Sequence, residues 1–407
     1  MSAVTTRRAT KTGGRDTTTR HIPPNLALAV GMPTKEAPEN WSWSALTKLA
    51  RMESGHTPSR RHPEYWDGTV PWIGIKDAKI NHGRRIDDTL QKTNELGLAN
   101  SSARLLPENT VCLSRTASVG YVLVMGRPMA TSQDFVNWVC SDDLEPDFLK
   151  YLLIAEGDDI LRFASGSVHQ TIYFPEAKAF HICHPEVSEQ RRIVGILDEA
   201  FDGIATAKAN AEKNLQNARA LFESHVNAID GEPTPLGELV EIRTGKLDAN
   251  AAVEGGEYPF FTCAREVFAI DKYAFDCEAI LLAGNNAVGD FNVKHYKGKF
   301  NAYQRTYVIT VNAKNRVLYR LLYFQMLNSL AKFKSQSVGA GTKFLKLGMI
   351  KNMEIALPAL AEQEQVVAKV DSIREETERL ESIYQHKLAA LDELKKSLLH
   401  QAFSGRL

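Results

Sequence analysis

The stretch Pro358-Ala359-Leu360-Ala361-Glu362-Gln363, with the run from Val366 to Leu398 behind it, decides the fold. Past the proline, residues return at alternating steps of four and three: Val366, Val370, Ile373, Thr377, Leu380, Tyr384, Lys387, Leu391, Leu394 and Leu398. That spacing draws one apolar stripe along a single long helix, with Thr377 and Lys387 as polar breaks. The opening motif also occurs in mid-chain, as Pro185-Glu186-Val187-Ser188-Glu189-Gln190, 358 − 185 = 173 residues earlier. Shifted by the same 173 residues, the stripe falls on Ile193, Leu197, Ala200, Ile204, Ala207, Ala211, Asn214, Ala218, Leu221 and His225. Asn214 stands where the later stripe has Lys387, and a register-fixing role is expected of both. Two helices in one register, each behind a stretch of mixed character, describe a duplicated chain.

The first stripe is rich in alanine and the second in Leu, Ile and Tyr, so small residues face large ones if the helices pair within one chain. In a two-fold-like duplication that pairing runs antiparallel and makes a rod of about 60 Å, at about 1.5 Å per residue. The globular halves are then expected at its opposite ends, inverted.

Working outward, the globular stretches repeat more loosely. Leu46-Thr-Lys-Leu49 with Gly55 returns as Leu236-Gly-Glu-Leu239 with Gly245, at 236 − 46 = 190. Ser118-Val119-Gly120 returns as Ala287-Val288-Gly289, and Leu152-Leu153 as Leu321-Leu322, both at 287 − 118 = 169. Gly166 and Gly339 are again 173 apart. The shifting offset means insertions and deletions in the globular loops, while the helices hold a fixed register.

In the first half, Leu46, Leu49 and Met52 read as a short helix ended by Gly55. Thr69–Ile75, Val111–Leu113, Tyr121–Met125, Phe135–Cys140 and Phe180–His184 read as strands, and Pro146–Phe163 as a helix. The expected organisation is α+β: a mobile basic tail over 1–40, a mixed α/β domain over 41–184, a long helix over 185–230, a second mixed domain over 231–357 and a second long helix over 358–407. Gly231-Glu-Pro-Thr-Pro235 supplies the linker, and the tail carries Arg7, Arg8, Lys11, Arg15 and Arg20.

The bulk composition sets outer bounds. The 407 residues suffice for two or three cores, and 43% hydrophobic with 24% charged residues is ordinary for a soluble protein. No apolar run reaches bilayer length and no signal peptide is visible, so a cytoplasmic protein is expected. The five cysteines lack CxxC spacing and are expected reduced. Formal net charge is zero, so only local charge can point to a polyanionic partner.

Three short patterns resemble reactive sites. His181-Ile-Cys183-His184 has metal-ligand residue types, but on a strand His184 faces away from His181 and Cys183, and the repeat substitutes Glu354-Ile-Ala-Leu357. Asp159 with Glu176 and Lys178 has the residue types of a Mg²⁺-dependent nuclease centre, yet its counterparts are Lys332, Met349 and Lys351. Gly339-Ala-Gly341-Thr-Lys343 lacks the spacing of a nucleotide phosphate loop and reads better as a turn beside a DNA backbone. No catalytic residue and no metal ligand is assigned to the chain.

The positive signal is for nucleic acid. Lys294-His-Tyr-Lys297-Gly-Lys299-Phe-Asn-Ala-Tyr303-Gln304-Arg305 contains no acid and interleaves cations with aromatic and amide side chains. Such residues contact phosphates and read base edges. In the first half Ser114, Arg115, Thr116 and Gln133 occupy corresponding places, with Lys76, Arg84 and Arg85 adding charge. With Lys343, these are the candidate DNA-binding residues.

At this point the chain resembles the specificity subunits of type I restriction–modification systems, over about residues 41–407. The resemblance rests on the duplicated plan and the two helix openings (Pro185, Glu189, Gln190; Pro358, Glu362, Gln363). It also rests on Ser54-Gly55-His56-Thr57-Pro58, Tyr65-Trp66 and Val70-Pro71-Trp72-Ile73, and on the closing Leu399-His-Gln-Ala-Phe403-Ser-Gly-Arg-Leu407. The tail before Trp41 departs from the pattern. The resemblance implies two target-recognition domains, each reading one half of a split double-stranded DNA target, and helices that act as spacer and docking surface. It implies two methyltransferase subunits and restriction subunits as partners. S-adenosylmethionine, ATP and Mg²⁺ would be bound by those partners and not by this chain. Because the halves differ in sequence, the target is expected to be asymmetric. Two other readings compete: a Mg²⁺-dependent nuclease using Asp159, Glu176 and Lys178, and a homodimeric coiled-coil scaffold with no DNA role.

Overall fold

The computed structural model describes residues 22, 26–166, 170–312 and 316–407. The basic cluster from Arg7 to Arg20 lies outside them. The chain forms two compact units, Met1–Lys208 with Ala389–Leu407 and Ala209–Leu388, so each unit takes a piece of both long helices.

In the first unit a five-stranded sheet runs in the order Ala50–Ser54, Phe135–Cys140, Val111–Ser114, Val122–Met125, Arg85–Ile86. Val111–Ser114 and Val122–Met125 are short unbroken apolar runs, except for Ser114, because both sheet faces are covered and every residue in them is buried. One face packs under the helix Pro146–Ala155, together with Ile193, Val194 and Leu197 of the first long helix and Leu399, Ala402 and Phe403 of the second. The other face packs on Ile73, Ala78, Leu106 and Met129.

Several sequence expectations are corrected here. Only Leu46–Leu49 is helical, whereas Met52 lies in the strand Ala50–Ser54, whose pairing with Val136–Cys140 outweighs the i, i+3 spacing. The helix expected over Pro146–Phe163 stops at Ala155, since Gly157 takes a positive φ of 51° and a 3₁₀ turn carries the chain to Phe163. Residues 26–40 are not a mobile tail. Leu28–Val30 forms a strand antiparallel to Phe180–Ile182, with Leu26, Ala27, Leu28 and Ala29 buried. The Arg162 guanidinium donates to the Leu28 carbonyl at 3.1 Å and Lys35 to that of Leu26 at 2.8 Å.

The second unit repeats this frame. Its sheet begins Val240–Thr244, Thr306–Val311, Phe275–Ala283, Val293–Ala302, the counterparts of the first four strands above, and adds Tyr258–Phe261 and Phe268–Ile270. Leu236–Leu239 is the same four-residue helix as Leu46–Leu49, at the expected offset. The bridges Ser165↔Thr171 and Val338↔Phe344 are also equivalent, with Gly166 and Gly339 at φ of 115° and 119°. The helix Tyr319–Asn328 corresponds to Pro146–Ala155 at 319 − 146 = 173. Leu321-Leu322 therefore matches Phe148-Leu149 and not Leu152-Leu153, a correction of about one helical turn. The position equivalent to Leu152 is Gln325, and its amide explains a missing strand. Gln325 bonds both the N–H and the C=O of Ala356 at 2.8 Å, on the strand whose counterpart in the first unit is bordered by Leu28–Val30. A side chain thus closes a sheet edge in one half that a strand closes in the other.

The long helices are Val187–Asn227 and Leu360–Phe403. Within the first unit, Arg192 donates to the Leu407 carbonyl at 2.6 Å and Lys208 pairs with Asp392. Within the second, Arg219 donates to Glu381 at 2.6 Å and the Thr377 hydroxyl to the Ala218 carbonyl at 3.4 Å. In each unit the helical segments are therefore antiparallel. The inward positions are 204, 208, 211, 215, 218, 222 and 226 in one helix, and 377, 381, 384, 388, 391, 395 and 399 in the other, all 173 apart. Six steps cover 226 − 204 = 22 residues, which is an 11-residue repeat and not a heptad, so no left-handed supercoil is imposed. Asn214 and Lys387 consequently point to solvent, and Leu215 and Leu388 take their places. Leu221 and Leu394, expected in the stripe, are 51% and 47% exposed. The register-fixing role expected of Asn214 and Lys387 is withdrawn.

Candidate nucleic-acid interface

In each unit several segments meet at one end of the main sheet, and two of the backbone bonds that join them are the same in both. In the first unit the His56 N–H reaches the Thr131 carbonyl at 2.9 Å, that of Arg115 reaches Asp134 at 2.7 Å, and that of Ile172 reaches Arg115 at 2.8 Å. In the second, the Gly284 N–H reaches the Arg305 carbonyl at 2.9 Å and the Leu345 N–H that of Gly284 at 2.9 Å. Gly55 and Gly245 hold the crossing: a Cβ on Gly55 would strike the Ser132 carbonyl and one on Gly245 the Ala302 carbonyl. That contact accounts for the glycine in Ser54-Gly55-His56-Thr57-Pro58.

The loops themselves are polar. Gln133 and Gln304 are equivalent and exposed, the first bonded to Thr57 and the second to Asp248. Thr116 meets the Thr171 hydroxyl at 2.8 Å. In the second unit, Asn286 accepts from the N–H groups of Val288 and Asp290 at 2.9 and 3.0 Å, shaping the loop that ends at Gly289. Lys334 and Lys343 flank that glycine. Arg305 is exposed, with its guanidinium 5.3 Å from the centre of the Phe344 ring. Lys343-Phe344 pairs with Asn285-Asn286.

Of the candidate residues, Arg115, Thr116 and Gln133 thus come together in one unit, and Gln304, Arg305 and Lys343 in the other. Several others have structural duties. Ser114 is buried, and its hydroxyl accepts from the Tyr121 N–H at 2.8 Å to fix the following turn. Arg85 donates to Asp147 at 3.1 Å and to the Met125 carbonyl at 3.3 Å, which ties a sheet edge to the helix above it. Lys294 donates to the Ala264 carbonyl at 2.7 Å, and burial lowers its pKa. Tyr303 is half-buried, its N–H on the Phe261 carbonyl at 2.9 Å. Lys297 and Lys299 are exposed on their strand, beside Glu278 at 3.4 Å and over the Tyr273 ring at 4.8 Å. Lys76 and Arg84 are exposed outside the cluster.

Composition-led reading passed over the loop from His56 to Trp66. Arg60 lies 3.7 Å from the Trp66 ring centre and donates to Gln91 at 2.7 Å, while Trp66 meets Trp72 edge-on at 5.0 Å. The Trp72 indole N–H donates to the His56 carbonyl at 3.1 Å. Tyr65-Trp66 and Val70–Ile73 therefore brace this loop, which leaves Arg60 and Arg61 exposed and bonds Gln133 through Thr57. The interleaving of basic and aromatic residues was the available signal.

For covalent chemistry the described residues offer little. No three His, Cys, Asp or Glu side chains among them are grouped to hold a metal ion. His184 bonds Ser44 at 3.0 Å, in keeping with a strand end. The five cysteines are free thiols, and burial pushes those of Cys112, Cys140 and Cys183 up, away from thiolate. Asp159 sits on the 3₁₀ turn, and Glu176 and Lys178 on the short helix Phe174–Lys178. No helix among the described residues is long and apolar enough to cross a membrane.

Comparison with known proteins follows the same division. The model of the type I restriction modification DNA specificity domain matches residues 38–216 and again 229–386, one match to each repeat. The EcoDI specificity subunit of Escherichia coli is 41% identical over 184 residues, 44% of this chain and 39% of that protein. The MjaIX specificity subunit of Methanocaldococcus jannaschii is 28% identical over 205 residues, 50% of this chain and 47% of that protein. The chain thus spans less than half of either. The EcoprrI specificity subunit of Escherichia coli is 24% identical over 355 residues, 81% and 86% of the two chains. Two solved structures share the fold at 17% identity and 92% coverage of this chain. One is a chain of a type I R-M system studied for complex assembly and conformational transition (TM-score 0.72, all of that chain), the other the HsdS subunit from Thermoanaerobacter tengcongensis (TM-score 0.55, 99% of that chain). With both repeats matched over most of its length, the chain belongs to the type I restriction modification DNA specificity domain family.

Proposed function

We propose that this chain is the DNA-reading subunit of a type I restriction–modification enzyme, each unit contacting one half of a split, asymmetric target. The observation that carries this reading is one duplicated frame whose loops differ around a shared glutamine (Gln133, Gln304), exposing Arg60 and Arg61 in one half and Arg305 and Lys334, with Lys343 half-buried beside them, in the other. A shared frame positions both reading ends, and different side chains give each its own base preference. The long helices serve as spacer and docking surface for two methyltransferase subunits, with restriction subunits joining that complex. The partners supply S-adenosylmethionine, ATP and Mg²⁺, and this chain supplies sequence choice and no catalytic group. Its place of work is the cytoplasm, where the DNA is.

The homodimeric scaffold is disfavoured because Ile204, Ala211, Ala218, Val370 and Thr377 are already buried within one chain. Titration of a labelled mixed-sequence duplex with the full chain tests DNA contact. Affinity should fall linearly in log–log form as salt rises, with a slope of roughly 0.9 per phosphate neutralised. Binding that is absent, or indifferent to salt, contradicts the proposal.

A further inference from the structure

In the shared frame, residue 134 of the first unit and residue 305 of the second occupy one place. Each immediately precedes the second strand of its sheet, Phe135–Cys140 or Thr306–Val311, and each gives its carbonyl to the residue leaving the neighbouring strand, Arg115 or Gly284. The chain puts opposite charges there. Asp134 accepts from the Ser132 hydroxyl at 2.9 Å and acts electrostatically on Arg115, whose guanidinium lies 4.3 Å from the Phe174 ring centre. Arg115 is half-buried, and burial lowers its pKa while Asp134 opposes that shift. The arginine of the first unit is thus half-buried against Phe174, with an acid acting on it.

The second unit inverts the arrangement. Gly284 contributes no side chain, and Arg305 stands exposed on Phe344 with no ion pair to the described residues. An aromatic face holds a guanidinium by its plane and leaves the edge donors free. Two parallel N–H groups in a planar fork match O6 and N7 of guanine in the major groove, a more rigid fit than a lysine ammonium offers. We infer that Arg305 reads a guanine in the half-site contacted by the second unit, and that the first unit, with Asp134 in the same place, makes no such contact from it. This rests on the DNA-reading function proposed above.

The experiment is selection of bound duplexes from a randomised pool by the full chain assembled with its methyltransferase subunit, comparing wild type, Arg305→Ala and Arg305→Lys. A thermal melt of each variant, expected to match wild type for this exposed residue, controls for folding. Arg305→Ala should lose preference at one guanine of one half-site, by roughly 10- to 100-fold, and Arg305→Lys should lose less, with the other half-site unchanged. An unaltered motif in Arg305→Ala would overturn the inference, as would a loss of affinity in that variant that is uniform across sequences, the mark of a phosphate contact only. A wild-type complex that selects no split motif would instead overturn the DNA-reading function itself.

Discussion

Replacing Gln363 with leucine is expected to cost the second unit about 3 kcal/mol or more. The Gln363 side chain is fully buried at the start of the second long helix. Its carbonyl accepts from the Leu318 N–H at 2.9 Å, and its amide donates to the carbonyls of Arg316 and Pro358 at 2.6 and 3.0 Å. Leucine fills the space but orphans three backbone groups, each worth about 1–3 kcal/mol when buried without a partner. Gln190 makes the same three contacts in the first unit, with Glu145 at 2.9 Å, Asp143 at 3.1 Å and Pro185 at 3.0 Å. Gln190→Leu should therefore destabilise the first unit to a similar degree. Thermal unfolding followed by hydrogen exchange checks both, with lost protection confined to the unit that carries the substitution. Effects under 1 kcal/mol would mean that the motif matters for something other than this clamp.

The second large effect is expected from Phe403→Ala. Phe403 is 2% exposed, and its ring meets Phe148 edge-on at 5.3 Å in the core of the first unit. The closing helix is thus part of that core, and removing the ring should cost about 3–5 kcal/mol through lost burial and the cavity left behind. Denaturant unfolding should show a lower midpoint for the first unit and an unchanged one for the second. Equal loss in both units would contradict the assignment of Phe403 to the first core alone.

These two residues mark what was legible in the sequence. The glutamine motif and the terminal Phe403 stood out because they repeat or close a repeat. Their physical work, bonding a distant loop and filling a sheet-face core, depends on contacts between segments far apart in sequence, which no local pattern contains. The long helices were legible from apolar spacing, but a heptad template forces a step of about 3.5 residues. It therefore assigned Asn214 and Lys387 inward, where the 11-residue spacing puts Leu215 and Leu388. Met52 was misplaced for a related reason: helical spacing is local, and the strand pairing that overrides it is not. The short apolar run Leu28–Val30 was hidden in a Thr- and Arg-rich tail and became a strand only because the edge of Phe180–His184 was available.

The candidate site was legible in kind more than in membership. Residue chemistry selected Arg115, Gln133, Gln304 and Arg305, which do lie on the loop clusters. The same criterion selected Ser114, Arg85 and Lys294, whose polar groups are bound by the protein itself. Donor and acceptor types are visible in a sequence; whether the fold already satisfies them is not. Asp134, which the choice of cationic and amide side chains left out, stands at the position equivalent to Arg305.

The most direct test of the proposed function is a map of modified bases in DNA from cells that express the full chain with the methyltransferase subunit proposed for it. The expected result is one motif made of two different half-sites separated by a gap of constant length. A single continuous motif, two identical half-sites, or half-sites at variable spacing would contradict it.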